Sequence, residues 1–302
     1  MYHLLLLLFI TPSICFGQRV AFLMDDYNAE RWHGDSVEFY KEATNRGVDV
    51  FIYQCDSDPH LQLQQTKMAI DSLHVDAIVL VSSNRTENKT ILKFAAQKEV
   101  PVILYDRTVE GPHYQHLSFD SHNIGYLQAK HVLKNEHVTN VVLLNGPTFD
   151  SNATLFRNGQ MAALQPEIEA GRINVLLDIH LSEWTDLEAF MQMNDFLLGK
   201  HPQIHAVIAA NDGIAKGAIE AMELNGISDV VVTGQDGAAP ALKAIKEGRQ
   251  SYTILKPVDL LVQKALDSAL DAYSEKQIIG HDKTVYIDVV EVTRENVEKY
   301  VK

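Results

Sequence analysis

The sequence predicts an α/β protein of two doubly wound, parallel-sheet (Rossmann-like) domains, and three observations support this fold class. Short β-branched runs alternate with segments whose apolar residues recur at helical spacing, as in parallel sheets covered on both faces. The chain holds eleven such runs in 302 residues, more than one open sheet usually contains. No low-complexity segment separates the runs, so we expect the chain to cross directly between the domains.

Each strand candidate is a short run rich in valine, isoleucine and leucine. In chain order the runs are 19–24, 48–53, 76–81, 101–105, 116–119, 140–144, 173–178, 205–210, 229–234, 251–255 and 284–290. Helical patterns between them cover 59–74, 121–135, 185–199 and 257–274. Because a helix between two strands carries the chain back across the sheet, we expect neighbouring strands to run parallel.

Residues 1–17 are predicted to be a secretory signal peptide. An apolar block at 4–10 is followed by Pro12 and small residues, with Gly17 in the position before the cut. The block is too short to span a bilayer. A buried first strand is the alternative, and the bulky Ile14 argues against a lipid anchor at Cys15. We therefore expect an exported protein, periplasmic or secreted.

Charge and cysteine content exclude several classes of partner. The formal net charge is −14, and removal of residues 1–17 leaves it unchanged because they contain no Asp, Glu, Lys or Arg. Nucleic acids and anionic membranes repel such a surface, so neither is expected as a partner. Cys55 would be the only cysteine left after cleavage, which excludes an internal disulfide.

Polar and aromatic side chains follow the ends of seven predicted strands. In open parallel sheets, ligands bind beyond the carboxyl ends of the strands. Two facing sheets would bring these side chains into one cleft, a common place for a small-molecule site. The residues are Asp25, Asp26, Asp106, Arg107, Asp150, Asn152, Trp184, Asn211, Asp212, Asp236 and Lys256, and Arg31 and Trp32 lie shortly after the first strand.

This mixture of side chains suits a sugar ring. Planar Asp, Asn and Arg groups can bond neighbouring hydroxyls in pairs, and flat indoles can cover the apolar faces of the ring. Arg31 would then bond hydroxyls while Trp32 covers a face. Each residue also has a structural alternative, since a lone tryptophan is more often core, Asp26 can cap a helix and Lys256 can precede one.

Motifs for catalysis are absent from the sequence. It contains no G-x-S-x-G, H-E-x-x-H, G-x-x-x-x-G-K-[ST] or G-x-G-x-x-G motif, and its 13 histidines have no ligand spacing. Glycoside hydrolysis by the cleft carboxylates is the remaining enzymatic alternative. A general acid needs a raised pKa, whereas Arg31, Arg107 and Lys256 would lower the pKa of nearby carboxyls. We therefore predict a binding protein with no catalytic residue, metal or cofactor.

Seven motifs, in order, carry a resemblance to a known family. They are "DDYNAERW" (25–32), "YDR" (105–107), "SFD" (118–120), "FDSNATLFRNGQM" (149–161), "ANDGIAKGAI" (210–219), "GQDG" (234–237) and "LKPV" (255–258). With these motifs the chain resembles the periplasmic sugar-binding proteins of the ribose/galactose type (type I), and most closely the D-xylose-binding type that serves ABC transporters. Ser151 and the loop at 81–85 depart from the family pattern.

The resemblance implies a fold, a ligand set and a motion. It implies two lobes joined by three crossovers, at about 18–121 plus 257–285 and 122–256 plus 286–302. It implies that the lobes close by hinge motion over a monosaccharide, D-xylose or a related pentose. The implied ligand-binding residues are Arg31, Trp32, Asp106, Arg107, Asp150, Asn152, Trp184, Asn211, Asp236 and Lys256.

The expected binding protein has two alternative outputs, and two other functions are alternatives to binding. The closed form is expected to be recognised by a membrane permease, or alternatively by a membrane histidine kinase that senses the sugar. A sugar-responsive transcription regulator is disfavoured because no DNA-binding module fits before the strand at 19–24. A carbohydrate-active enzyme is disfavoured by the cationic neighbours of the cleft carboxylates.

Overall fold

The computed structural model describes residues 17–26, 30–199, 202–280 and 284–301. Residues 1–16 of the predicted signal peptide lie outside these ranges. Within them, no helix is both long and apolar enough to cross a bilayer.

Two six-stranded sheets form the framework of the molecule. The first has the order β11-β5-β4-β3-β1-β2 and the second β12-β10-β9-β8-β6-β7. All pairings are parallel except that of β12 with β10. The strands are β1 Arg19–Met24, β2 Asp49–Gln54, β3 Ala77–Leu80, β4 Val102–Tyr105, β5 Gln115–Ser118, β6 Asn140–Asn145, β7 Asn174–His180, β8 Ala206–Ala209, β9 Val231–Thr233, β10 Tyr252–Leu255, β11 Thr284–Tyr286 and β12 Val290–Thr293.

Helices cover both faces of each sheet, which confirms the predicted fold class of two doubly wound α/β units. Four of them contact the first sheet or one another beside it, and the other five are associated with the second. The first group is α1 Glu30–Asn45, α2 Pro59–Asp71, α3 Lys89–Gln97 and α9 Val258–Glu275. The second group is α4 Ser121–Val132, α5 Ser151–Glu169, α6 Asp186–Leu197, α7 Asp212–Leu224 and α8 Ala239–Glu247, and a short 3-10 helix covers Val297–Lys299.

The strand β1 shows why these strands are apolar along their whole length. Val20, Phe22 and Met24 pack in the cluster that contains α1 and α9, whereas Ala21 and Leu23 pack in the cluster of α2 and α3. Side chains alternate between the faces of a strand, so a strand covered on both sides needs apolar residues at every position.

Close packing of α4 against α5 positions a helix that contributes to the cleft between the sheets. A Cβ atom built on Gly125 would lie 1.9 Å from the carbonyl oxygen of Phe156, so only glycine permits this approach. Gly159 meets the carbonyl of His122 at the same distance from the other side. The contact fixes the helix that presents the Phe156 side chain, which lines the cavity described below.

The chain passes between the two sheets three times: between β5 and β6, between β10 and β11, and between β11 and β12. The prediction of a single strand at 284–290 is wrong. Its first part is β11 of the first sheet, Ile287 to Val289 make the crossing, and β12 begins in the second sheet. Five of the seven residues in the run are β-branched, and it holds no glycine or proline to mark the crossing. We propose that the three crossings are the lobe boundaries.

Candidate functional site

A cavity lies between the carboxyl ends of the two sheets, with about 360 Å³ of empty space that includes its opening to solvent. The structure brings all ten predicted ligand-binding residues together in its lining, along with two that the sequence reasoning missed. The lining residues are Arg31, Trp32, Asp106, Arg107, Asp150, Asn152, Phe156, Trp184, Asn211, Gln235, Asp236 and Lys256. They come from the loops or helix starts after seven strands, so the cavity depends on both lobes.

Arg31 and Trp32 lie in the first turn of α1, directly after β1. The Arg31 guanidinium lies over the Trp32 ring at 4.5 Å from its centroid, and that of Arg107 is 5.3 Å from the same ring. Cations near an indole in a desolvated site are attracted by the ring quadrupole. Trp32 is 5% exposed and belongs to the apolar cluster that also contains Phe22 and Phe39. It is therefore both a core residue and part of the cavity wall.

Asp106 is a buried acceptor in the cavity lining. Its φ of +64° is left-handed, and its backbone N–H donates to Leu117 O at 2.7 Å. Its carboxylate accepts hydrogen bonds from Arg31 and from Asn152 Nδ2, the latter at 2.5 Å. Burial opposes ionisation of Asp106, but the charges of Arg31 and Lys256 outweigh it and hold its pKa well below the usual range.

Arg107 links the two lobes. Its Nη1 donates to Asp25 Oδ2 at 2.5 Å and to Ser82 O at 3.1 Å, both in the first lobe. Its Nε lies 2.7 Å from Asp150 Oδ2 of the second lobe, an ion pair in which the N–H is not aimed at the oxygen. Together with the contact between Asp106 and Asn152, this pair joins the lobes directly across the cleft.

Trp184 is held in place by its neighbours in the second lobe. Its indole Nε1 donates to Asp150 Oδ2 at 3.2 Å, and its ring meets Phe156 edge-on at a centroid distance of 6.4 Å. A Cβ atom on Gly146 would lie 2.2 Å from the indole, so the ring lies flat against a backbone that must be glycine. The orientation of Trp184 is thus fixed on two sides.

The remaining lining residues come from the ends of β8, β9 and β10. Asn211 caps α7, its Oδ1 accepting from Ile214 N at 2.8 Å. Lys256 Nζ lies 3.1 Å from Asp236 Oδ1 and 5.4 Å from the ring centroids of Phe119 and Phe156. The cavity therefore holds acceptors, donors and aromatic surface within one small space.

Asp25, Asp26 and Asp212, the other strand-end carboxylates, have structural contacts. Asp25 accepts from Arg107, and Asp26 accepts from Ser57 Oγ at 2.7 Å. Asp212 accepts from the backbone N–H of Ala238 at 2.9 Å, and also from Thr253 and Gln250. Burial raises the pKa of Asp212 to about 7, and the negative charge of Asp236 adds to the effect.

Helix capping and cavity lining coincide at Asp150. Its Oδ1 accepts from the backbone N–H of Asn152 at 2.8 Å and so caps α5, while its Oδ2 contacts Arg107 and Trp184. Capping α5 and lining the cavity are therefore compatible roles for this one residue.

Phe156 and Gln235 are the two lining residues that the sequence reasoning missed. Phe156 lies one helical turn after Asn152, and helix neighbours at i and i+4 share a face. Gln235 directly precedes Asp236 at the end of β9. Both positions could have been predicted from their spacing to a predicted ligand-binding residue, Asn152 for Phe156 and Asp236 for Gln235.

The chemistry of the lining fits a neutral, polyhydroxylated ligand. Carboxylates and amides accept or donate to hydroxyls, guanidinium groups donate in pairs, and aromatic faces cover C–H surface. Within the described ranges, no group of three or more His, Cys, Asp or Glu side chains could hold a metal ion.

Comparison with known proteins places this cavity in context. Residues 20–277 match the model of the family described as "Periplasmic binding protein domain". The chain is similar to the D-xylose-binding periplasmic protein of Haemophilus influenzae (32% identity, 86% of this chain and 79% of the relative) and to that of Escherichia coli (33%, 84% and 77%). A solved ABC transporter solute-binding protein from Bacillus halodurans with bound myo-inositol superposes with a TM-score of 0.83, at 26% identity over 95% of this chain and 98% of that one.

Proposed function

Because this chain belongs to the periplasmic binding protein family, we propose that it is an exported receptor that binds a monosaccharide, D-xylose, in the cavity between its lobes. The bound, closed form is what an ABC permease in the membrane recognises. Members of the family are binding proteins and not enzymes, and the proposed role needs no cofactor.

The observation that carries the proposal is the meeting of the ten strand-end residues in one cavity. They come from positions between 31 and 256 in the chain, yet they line the same cavity. The lining combines side chains that hydrogen-bond hydroxyls with two indole faces, and a sugar ring requires this combination. A monosaccharide is therefore the favoured ligand class.

The choice of D-xylose rests on the relatives. Two proteins named D-xylose-binding share 32% and 33% identity with this chain over most of its length. A pyranose has hydroxyls on neighbouring carbons and apolar C–H faces. Asp106, Asn152 and Arg107 can bond such hydroxyls, and the two indoles can cover the faces.

Electrostatics favour binding over hydrolysis. A retaining or inverting glycosidase needs one carboxyl that stays protonated near neutral pH. Asp106 has a lowered pKa because of Arg31 and Lys256. Three buried carboxyls near the cavity have raised pKa values: Asp25, Asp35 and Asp212. None of them is part of the cavity lining, and each accepts hydrogen bonds from other protein groups.

The experiment that tests the proposal is a titration of the purified protein with D-xylose, D-ribose, D-glucose and myo-inositol. Tryptophan emission and calorimetry report binding together, since both tryptophans of the chain line the cavity. We expect saturable binding, tightest for D-xylose, with a change in emission. A Trp184→Phe variant should lose part of that change. The proposal is wrong if none of the four compounds binds, or if D-xylose is converted to a product.

A further inference from the structure

Asp35 is a fully buried carboxylate directly behind the cavity, and no sequence motif pointed to it. Its side chain is 0% exposed, and it lies one turn after Arg31 on α1. Its Oδ2 accepts from Arg31 Nη2 at 3.2 Å and from the Tyr105 hydroxyl at 2.8 Å. Tyr105, at the end of β4, is also fully buried.

The Arg31 guanidinium is therefore held from two sides. Nη2 donates to Asp35 on its own helix, and Nη1 donates to Asp106 on the loop after β4. The same group lies over Trp32 at 4.5 Å and over Phe119 at 5.4 Å. A planar guanidinium with both ends bonded to different elements cannot rotate about its own axis without breaking a charge-assisted bond.

We propose that Asp35, together with Tyr105, is a positioning residue for sugar binding that acts through the guanidinium of Arg31. The proposal rests on the proposed function, since it assigns a role within the same site. Without the Asp35 charge, Arg31 keeps only its bond to Asp106, and its plane must be ordered when the ligand binds. Ordering a side chain at the moment of binding weakens affinity.

Asp35 is titratable, and four ionisable groups face it. They are Arg31 on the same helix, Tyr105 on β4, Asp106 after β4 and Asp236 of the second lobe. Burial raises the pKa of Asp35 to about 6. Arg31 and the Tyr105 hydroxyl oppose this rise, and the two aspartates add to it. If binding uses the ionised form, affinity is full above that pKa and falls as pH drops through it.

The test is the dissociation constant for D-xylose, by calorimetry between about pH 5 and about pH 8. We expect wild-type affinity to fall as the pH drops through the pKa of Asp35. Asp35→Asn should bind about tenfold more weakly at neutral pH and show no such fall. In Tyr105→Phe the fall should begin at higher pH, because the lost hydroxyl no longer lowers the pKa of Asp35.

Glu42→Gln is the matched control. Glu42 pairs with Arg46 at the same i,i+4 spacing on the same helix, 2.7 Å apart and partly exposed. This variant should keep wild-type affinity and the wild-type pH profile. If the role of Asp35 were purely structural, Asp35→Asn would lower the melting temperature but would leave the shape of the pH profile of D-xylose affinity unchanged.

The outcomes separate the two proposals. A wild-type protein that binds none of the four compounds would overturn both. Wild-type binding with a flat pH profile, or Asp35→Asn with unchanged affinity and slope, would overturn the positioning role alone. If Asp35→Asn fails to fold, the test uses the pH profiles of affinity of the wild type and of Tyr105→Phe. A loss of affinity at the same pH in both proteins would also overturn the positioning role.

Discussion

Replacement of Asp106 by asparagine tests how the first lobe holds its charges in the cavity. The residue is 2% exposed and accepts from Arg31 and Asn152. Asparagine tolerates the left-handed backbone of Asp106, so Asp106→Asn isolates the loss of charge. Removal of one partner of a buried pair costs about 3–5 kcal/mol. Because Arg31 keeps its ion pair with Asp35, we expect the lower end of this range, a loss of about 3 kcal/mol in the free energy of unfolding.

Two comparison variants separate the contributions. Asp106→Ala should cost about 1 kcal/mol more, because alanine is strained at a φ of +64°. Asp71→Asn removes an exposed pair with Lys98 and should cost at most about 1 kcal/mol. The assay is urea unfolding followed by circular dichroism, without sugar. A loss for Asp106→Asn no larger than that for Asp71→Asn would refute the reasoning.

The pH dependence of this stability has a definite sign. The folded pKa of Asp106 lies below that of the unfolded chain, about 3.9. The stability that the carboxylate contributes is therefore complete above the unfolded pKa and is lost only as the pH falls through the folded pKa. The stability that the Asp106 carboxylate itself contributes should therefore be undiminished at about pH 5.

Three further outcomes are expected. Gly146→Ala should displace Trp184 and weaken D-xylose binding about tenfold, with altered tryptophan emission; unchanged emission and affinity would contradict the packing described. Asp236→Ala should keep the circular dichroism spectrum but lower the unfolding free energy, because alanine is strained at a φ of +111°. It should also cost about 1–3 kcal/mol of binding free energy in calorimetry, because sugar hydroxyls then lack an acceptor; wild-type affinity would remove Asp236 from the site. Burial raises the pKa of Asp212 to about 7, so the unfolding free energy should decline as the pH rises from about 4 towards 7. Asp212→Asn should reduce that decline in urea unfolding, and an equal decline in both proteins would contradict the raised pKa of Asp212.

Much of the cavity lining could be predicted from the sequence because one rule of parallel sheets places it. Carboxyl ends of parallel strands lie at one edge of a sheet, so residues such as Asp106 and Lys256 can be assigned to a common edge from strand ends alone. The rule says where a residue lies, not which partner it contacts. The contact of Asp106 with Asn152, 46 residues away in the other lobe, depends on how two lobes approach each other.

The residues behind the lining could not be predicted. Asp35 occupies an ordinary helical position, and Tyr105 is the last residue of an apolar strand. Their importance arises from a contact between α1 and β4 that no spacing in the sequence reveals. The crossing at 287–289 escaped for a different reason, since its β-branched residues favour a strand and tertiary structure overrides that preference.

A crystal structure of the protein grown with D-xylose is the measurement that decides where the sugar lies. We expect the pyranose in the cavity, with its hydroxyls within about 3.2 Å of Asp106, Asn152 and Asp236 and a ring face against the Trp184 indole. Density for the sugar outside this cavity, or a sugar that contacts neither the Asp106 carboxylate nor an indole, would contradict the account.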